Sequence, residues 1–464
     1  MRLVYLACCL GLLMSLGCKE QLPSTPTEDP NAFSLDELQR RTFNWFWDIV
    51  DSTNFQILDR YPTRTFSSIA ATGFGLSSYL VGVERNYITR EQAAERVLNT
   101  LRVLTTLPQG PDSIGVSGYK GFFYHFLTLD KAVRYKRVEL STIDTGLLMA
   151  GVLSTMSYFD QENPSENEIR QLADALYRRV EWDWAINDST RLSMGWRPER
   201  GYIPSDWRGY NEAMVLLIMA IGSPTHPISP DTWEKWCSTY EWNKYKDQEH
   251  VNFSPLFGHQ YSHMYIDFRD IYDPFMKEKG IDYFENSRRA TYANRQYCID
   301  NPRGFTGYGP NQWGLTASDG PRGEPRKAMV GNQEVQFRTY WARGASSRHV
   351  NDDGTIAPTA AGGSVPFAPE ICIPALEYMW NEHYDELVGE YGFKDAFNLS
   401  YTFSDGNEEG WFDYDYLGID QGPILIQIEN YRSGLLWETM KKNPYIQEGL
   451  RKAGFTGGWL SDEI

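Results

Sequence analysis

The chain has 464 residues, 14% of them aromatic, and a formal net charge of −17. That charge excludes nucleic acid as a partner, since its phosphates would be repelled, and favours a neutral or cationic ligand. The length would hold two or three average domains, but large barrels reach it as single units, and nothing after residue 33 reads as a linker.

Met1-Arg2 followed by Leu3 to Leu16 has the charged and apolar regions of a secretory signal, ending at Gly17-Cys18. A small residue before cysteine resembles a bacterial lipoprotein cleavage site, with Cys18 as the lipidated first residue, although Ser15 departs from the usual Leu. Residues 19–33 carry three prolines and no apolar pattern, so they read as a flexible tether. The expected organisation is therefore a signal over 1–18, a tether over 19–33 and one domain over 34–464. Such a protein is exported and lipid-anchored in the periplasm or outer membrane of a Gram-negative bacterium; a soluble secreted protein is the alternative. Cys237, Cys298 and Cys372 are widely spaced, allow at most one disulfide, and suit buried packing.

Ser34-Leu-Asp-Glu37 is a capping box that opens an amphipathic helix through Phe43, Trp45, Phe46 and Val50. Thr89 to Gln92 and Ser165 to Glu168 are two more. Helical hairpins follow: 68–86 with 90–107, 141–159 with 165–181, 211–222 with 230–241, and 261–272 with 280–299. Two later pairs are 369–391, broken around Pro374, and 421–441 with 444–453. In most pairs the first helix is apolar and rich in small residues, and the second is charged and amphipathic. An inner and an outer helix repeated six times make an all-α (α/α)6 barrel; no fixed repeat period supports a solenoid. Residues 110–126, with Gly115, Gly118 and Gly121 among aromatics, predict a short hairpin. The Gly- and Pro-rich stretch 301–368 predicts long functional loops.

Three inner segments begin with acids. Glu212 precedes Ala213 to Ile221, which is apolar on every side; Glu139 and Asp144 precede Leu147 to Leu153; and Asp420 opens a segment that also carries Glu429. Helix capping explains any one of these acids. Three together predict carboxylates converging at one barrel end. There they suit glycosidic cleavage, which needs one protonated and one ionised carboxyl. Tyr308, Trp313 and Trp411 lie in Gly- and Asp-rich surroundings and can stack on sugar rings. His259 and His263 have metal-pair spacing without a completing Glu, so packing is the simpler role. Asp413-Tyr-Asp415 resembles a calcium loop lacking its third ligand, and Asn351-Asp-Asp-Gly354 is a turn.

At Trp313-Gly-Leu-Thr-Ala-Ser-Asp-Gly320, Asp353 to Gly363, Tyr391 to Asn398 and Asp420-Gln-Gly-Pro423, the chain resembles the glucoamylase-like glycoside hydrolase family 144. The resemblance spans most of residues 34–455. It implies an (α/α)6 barrel that acts on β-1,2-linked glucan or its oligosaccharides, often releasing sophorose, with no metal or other cofactor. It also implies essential acids on the segments of Glu139 to Asp144 and of Glu212. The expected roles are Glu212 as general acid and Asp144 as base acting through water, with inversion of configuration. Glu139 tunes the pair, and Trp313, Asp319, Asp420, Glu429, Trp411 and Tyr308 shape the sugar subsites. A monomer is expected, and the rivals are a non-catalytic glycan-binding lipoprotein and a β-1,2-glucan transglycosylase.

Overall fold

A computed structural model describes residues 31–187, 190–322, 324–403 and 408–461, so Cys18, the leader and residues 19–30 of the tether lie outside the described residues. From Phe33 onward the chain forms one compact unit. It is mainly helical, and its helices run in chain order: α1 Leu35–Asp48, α2 Ile69–Glu84, α3 Arg90–Thr106, α4 Thr142–Tyr158, α5 Pro164–Arg178, α6 Ala213–Gly222, α7 Asp231–Cys237, α8 Pro274–Lys279, α9 Tyr283–Asp300, α10 Pro358–Gly362, α11 Pro369–Glu382, α12 Tyr384–Leu387, α13 Gly418–Arg432, α14 Leu435–Lys441 and α15 Pro444–Lys452. Among the described residues no helix is long and apolar enough to cross a membrane.

Burial sorts these helices as their composition requires. All ten residues of α6 are buried, as is every residue of α2 from Ile69 to Gly82. By contrast, α5 buries one face only, because a charged, amphipathic helix stays in contact with solvent. Neighbouring inner helices meet closely. A Cβ on Gly151 would lie 2.1 Å from the Gly73 carbonyl oxygen, so α4 and α2 approach at a distance only glycine permits. α2 also packs on α13, α4 on α6, and α13 on α10. Between α6 and α10 stands the segment Leu256–Met264, whose Gln260 Nε2 donates to the Ala360 carbonyl at 2.9 Å and whose Ser262 Oγ accepts from the Val215 N–H at 3.0 Å.

Short strands tie the starts of the inner helices together. Ser67–Ser68, Leu140–Ser141 and Tyr416–Leu417 each run directly into α2, α4 and α13, and pair with Phe126–Leu127, Gly195–Arg197 and Arg60–Tyr61 respectively. A bridge between Tyr124 and Leu140 and the bond from the Gly418 N–H to the Asp59 carbonyl complete the lacing. The N-termini of α2, α4 and α13 are thus held at one end of the molecule.

Several sequence expectations change. Residues 261–272 form a single 3-10 turn at Ser262–Met264 followed by irregular chain, with three-residue and four-residue backbone bonds mixed over Tyr261 to Ile266 instead of a continuous helical ladder. Pro374 does not break its segment: α11 runs through it, losing one backbone bond near its start, and the second half of 369–391 is α12 plus a small hairpin at Val388–Phe393. At α5 the cap is Asn163, which accepts from the Glu166 N–H at 2.9 Å, with Pro164 in the first turn, so Ser165 lies inside the helix. At α1, Ser34 caps through the Glu37 N–H at 3.0 Å, but the Glu37 carboxylate pairs with Arg40 and Arg41 rather than closing the box. Thr89 and Gln92 form the full reciprocal box. The hairpin expected within 110–126 is present at Gly118–Phe123. Within 301–368 a further hairpin pairs Lys327–Val330 with Gln333–Gln336.

Candidate active site

Glu212 occupies the cap position of α6, yet its side chain makes no capping bond and Oε2 has no hydrogen-bond partner. Glu212 is half-buried as a residue, but Oε2 itself is shielded from water. Burial, aided by the Asp144 charge, pushes it up to about 7 although a backbone N–H pulls the other way. A carboxyl at that value carries a proton near neutrality.

Asp144 lies in the first turn of α4, and both its oxygens are engaged. Oδ2 accepts from Ser141 Oγ, the cap of the same helix, and Oδ1 stands 3.4 Å from His125 Nε2. His125 Nδ1 reaches Glu139 Oε1 at 3.0 Å, and Arg197 Nη2 lies 3.2 Å from Glu139 Oε2. One imidazole therefore bridges two carboxylates. Phe126 stacks on its other side with ring centres 3.9 Å apart. Burial alone would lower the His125 value, but Asp144, the hydrogen bond to Glu139 and the Asp59 charge outweigh it and push it up to about 9. The same hydrogen bond draws Glu139 down to about 2.

On the facing wall, Asp420 opens α13 beside Asp395. Each keeps one carboxyl oxygen without a donor, and the two lie in hydrogen-bonding reach of one another, so one proton shared between them satisfies both. Burial raises both, with neighbouring carboxylates adding to it. Asp319 accepts from Arg60 Nη1 at 2.6 Å and from Arg322, while its N–H donates to Asp395 Oδ2 at 2.7 Å. Tyr340 is 49% exposed, and the carboxylates of Asp420, Asp395, Asp59 and Asp319 bear on its hydroxyl. Tyr261 feels Asp420, Tyr340, Glu212 and Asp144 together. Its hydroxyl donates to the Ile419 carbonyl at 3.3 Å. That carbonyl is free to accept because the residue four places on, Pro423, has no N–H.

The structure thus joins Glu139 and Asp144 through His125 and sets Glu212 within reach of the Asp144 charge, while Asp319 is bonded to Asp395 beside Asp420. It places the other sequence candidates elsewhere. Glu429 sits near the far end of α13, where Arg85 grips it with two bonds of 2.7 Å and Gln39 donates at 2.8 Å, so it is a buried tie rather than a sugar contact. Trp313 is wholly buried in a core cluster with Leu315 and Ala360, and has no face for a ring to stack on. Tyr308 is half-buried and donates to Asp352 Oδ1 at 2.6 Å, and Trp411 pairs in a strand with Asn398 beside Phe337 and Tyr401. Asp413 and Asp415 gain their third carboxylate from Asp319, the ligand oxygens lying within 4.8 Å of one another. Arg322 reaches Asp415 at 3.2 Å and Asp413 at 3.7 Å, and Arg60 reaches Asp415 at 3.9 Å, so guanidinium charge balances this cluster. His259 and His263 are fully buried, bonded to the Phe253 carbonyl and Ser287 at 3.1 Å each, and burial lowers both. The three cysteines are buried and free.

His125, Asp395, Tyr340 and Tyr261 were not singled out from sequence. Asp395 lies inside the motif Tyr391 to Asn398, which was a usable signal. The other three come from loops whose convergence no local pattern encodes.

Comparisons with known proteins follow the same line. Residues 204–444 match the family model Glycoamylase, described as "Putative glucoamylase". An exo beta-1,2-glucooligosaccharide sophorohydrolase (non-reducing end) of Parabacteroides distasonis is 30% identical over 452 residues. That match covers 90% of this chain, and the chain spans 57% of that relative's length. A crystal structure described as a "putative glucoamylase", from Bacteroides uniformis, is 34% identical with a TM-score of 0.79, covering 92% of this chain and 99% of the other. An endo-beta-1,2-glucanase of Chitinophaga pinensis, solved as a sophorotriose and glucose complex, is 30% identical with a TM-score of 0.77, covering 92% and 100%. The chain belongs to this glucoamylase-like family, glycoside hydrolase family 144.

Proposed function

We propose that this protein is a glycoside hydrolase that cleaves β-1,2-linked glucan or its oligosaccharides, releasing sophorose, by an inverting acid/base mechanism. The observation that carries the reading is the Glu212 carboxyl: its Oε2 is shielded and without a partner, its value is raised to about 7, it has no capping duty, and the Asp144 charge acts on it. In this mechanism Glu212 gives its proton to the leaving glycosidic oxygen. Asp144, held by Ser141 and His125, takes a proton from the water that attacks the anomeric carbon. Glu139 anchors the far side of His125 and so tunes Asp144. Asp420, sharing a proton with Asp395, presents a donor to a sugar hydroxyl, and Asp319 holds Arg60 at the same wall. The substrate reading is supported by the activities named for the Parabacteroides and Chitinophaga relatives.

The scaffold for this chemistry is an (α/α)6 barrel. Its inner positions are α2, α4, α6, the segment Leu256–Met264, α10 and α13, a reading supported by the succession of contacts among them. The protein is anchored as a monomer by lipid on Cys18 and faces the periplasm or lies on the outer membrane. That anchoring rests on the Gly17-Cys18 pattern. Labelled fatty acid should enter the protein when it is expressed in a bacterial host and be lost in Cys18→Ala; labelling that survives the substitution removes the anchor from this cysteine.

Incubation with linear β-1,2-glucan and with short β-1,2-glucooligosaccharides tests the activity. Proton NMR of the first-formed product is expected to show the α-anomer. An initial β-anomer would replace water by an attacking carboxylate and favour transglycosylation, while tight binding without turnover would leave a glycan-binding protein.

A further inference from the structure

We infer that His125 is a positioning residue of the reaction: as a fixed cation between Asp144 and Glu139 it keeps both carboxylates ionised, and so leaves the one proton of the group on Glu212. This rests on the hydrolase reading above and deepens it, because that chemistry needs one protonated and one ionised acid.

A count of donors places the proton. Glu139 accepts at both oxygens, from His125 Nδ1 at 3.0 Å and from Arg197 Nη2 at 3.2 Å. Asp144 is engaged in the same way. Its own N–H donates to Ser141 Oγ at 3.2 Å, which occupies a lone pair of that hydroxyl and leaves the single hydroxyl hydrogen for Asp144 Oδ2. His125 Nε2 stands 3.4 Å from the other oxygen, Oδ1. A carboxyl that accepts at both oxygens needs no proton of its own. Glu212 is the member of the group with an unengaged oxygen, Oε2.

The same geometry sets the state of the ring. Both nitrogens of His125 face a carboxylate oxygen, whereas a neutral imidazole carries one N–H only. Its bare nitrogen would aim a lone pair at one of the two oxygens, so both contacts are attractive only for imidazolium. Nor is the ring free to choose other partners. The His125 N–H donates to the Glu139 carbonyl at 3.0 Å, its carbonyl accepts from the Ile69 N–H at 3.3 Å, and Phe126 stacks on the imidazole. The charged groups around it are Asp144 on α4, Glu139 just before that helix with Arg197 behind it, and Asp59, which Arg60 holds at 2.9 Å. Acids predominate, which sustains the cation although the side chain is 32% exposed. Without that cation the Asp144 and Glu139 charges would stand uncompensated, and a proton would be drawn onto Asp144, where it disables the base.

The test is kcat against pH for the wild type and for His125→Gln, which keeps an amide donor and removes the charge. The acid limb, where the base must be ionised, is expected to move upward by about one unit. At a fixed pH on that limb kcat then falls about tenfold, and it recovers as pH rises. A ring that only supports the fold would lower kcat equally at every pH, or lower the melting temperature, and leave the limb in place; that outcome overturns the inference while the hydrolase reading stands. Nitrogen-15 NMR of the wild type decides the matter if the variant fails to fold or to turn over. Both His125 ring nitrogens are expected to be protonated at about pH 7.5, where an unperturbed histidine has largely lost its charge, and one unprotonated nitrogen overturns the inference. Wild-type protein that cleaves no β-1,2-glucan of any length overturns the hydrolase reading, and the inference with it.

Discussion

Glu212 differs from the other acids at helix starts in what its carboxyl leaves undone. Asp273 and Asp282 cap α8 and α9 by accepting from the N–H groups of Met276 and Glu285, whereas Glu212 accepts no such bond. Its value, raised from the ordinary 4.5 to about 7 by burial and by Asp144, also sets the sign of its effect on stability. A carboxyl raised on folding leaves stability full below its unfolded value and erodes it as pH rises through the folded one. Glu212→Gln should therefore lose turnover by about 10²- to 10⁴-fold while its thermal midpoint above pH 7 rises or holds. Full activity with a lowered midpoint would falsify the catalytic assignment. In the wild type, kcat should fall as pH rises past about 7 because the acid then lacks its proton. His125, held up to about 9 by its two carboxylates, stays charged across that limb and does not account for it.

At the scale of elements, α13 carries two acids with opposite roles. Asp420 stands in its first turn and Glu429 nine residues later, about 14 Å along the axis. Composition alone made both look like pocket acids, because the helix is buried along almost its whole length and a buried carboxylate gives no hint of its partner. The partners are Arg85, just past the end of α2, and Gln39 on α1. Glu429→Gln should leave kcat/KM within about twofold and destabilise the fold by about 3 kcal/mol, since Arg85 keeps a charge that has lost its counter-ion. Denaturant melts set beside kinetics of the same preparation check this. A large loss of kcat/KM at full stability would put Glu429 back among the functional groups. The two internal prolines were legible as residues but not in their effect. Pro374 leaves α11 intact, and Pro423 frees the carbonyl that receives Tyr261.

Over the whole molecule the formal net charge is −17. A neutral glucan gains nothing from such a field and is not repelled by it. Raising ionic strength from about 20 mM to about 500 mM should accordingly change kcat/KM by less than about twofold, as screening acts only on interactions between charges. A steep salt dependence in initial-rate measurements would point to a charged ligand and away from glucan.

Most helices other than the one expected over 261–272, the complete burial of α6, and the placing of Asp144, Glu212 and Asp420 at helix starts were readable from the sequence. Each is a local matter: apolar residues on every side demand burial, and an acid before such a run marks a helix N-terminus. Family motifs narrowed the chemistry, and one of them already contained Asp395. Tertiary structure alone decided which acids share a pocket. His125 reaches Asp144 and Glu139 through a strand ladder, Tyr340 comes under the charge of Asp420 from a distant loop, and Trp313 turns into the core although its neighbours resemble those of a sugar platform. Those outcomes depend on which distant segment packs against which, and periodicity along one segment carries no record of the surface it will meet.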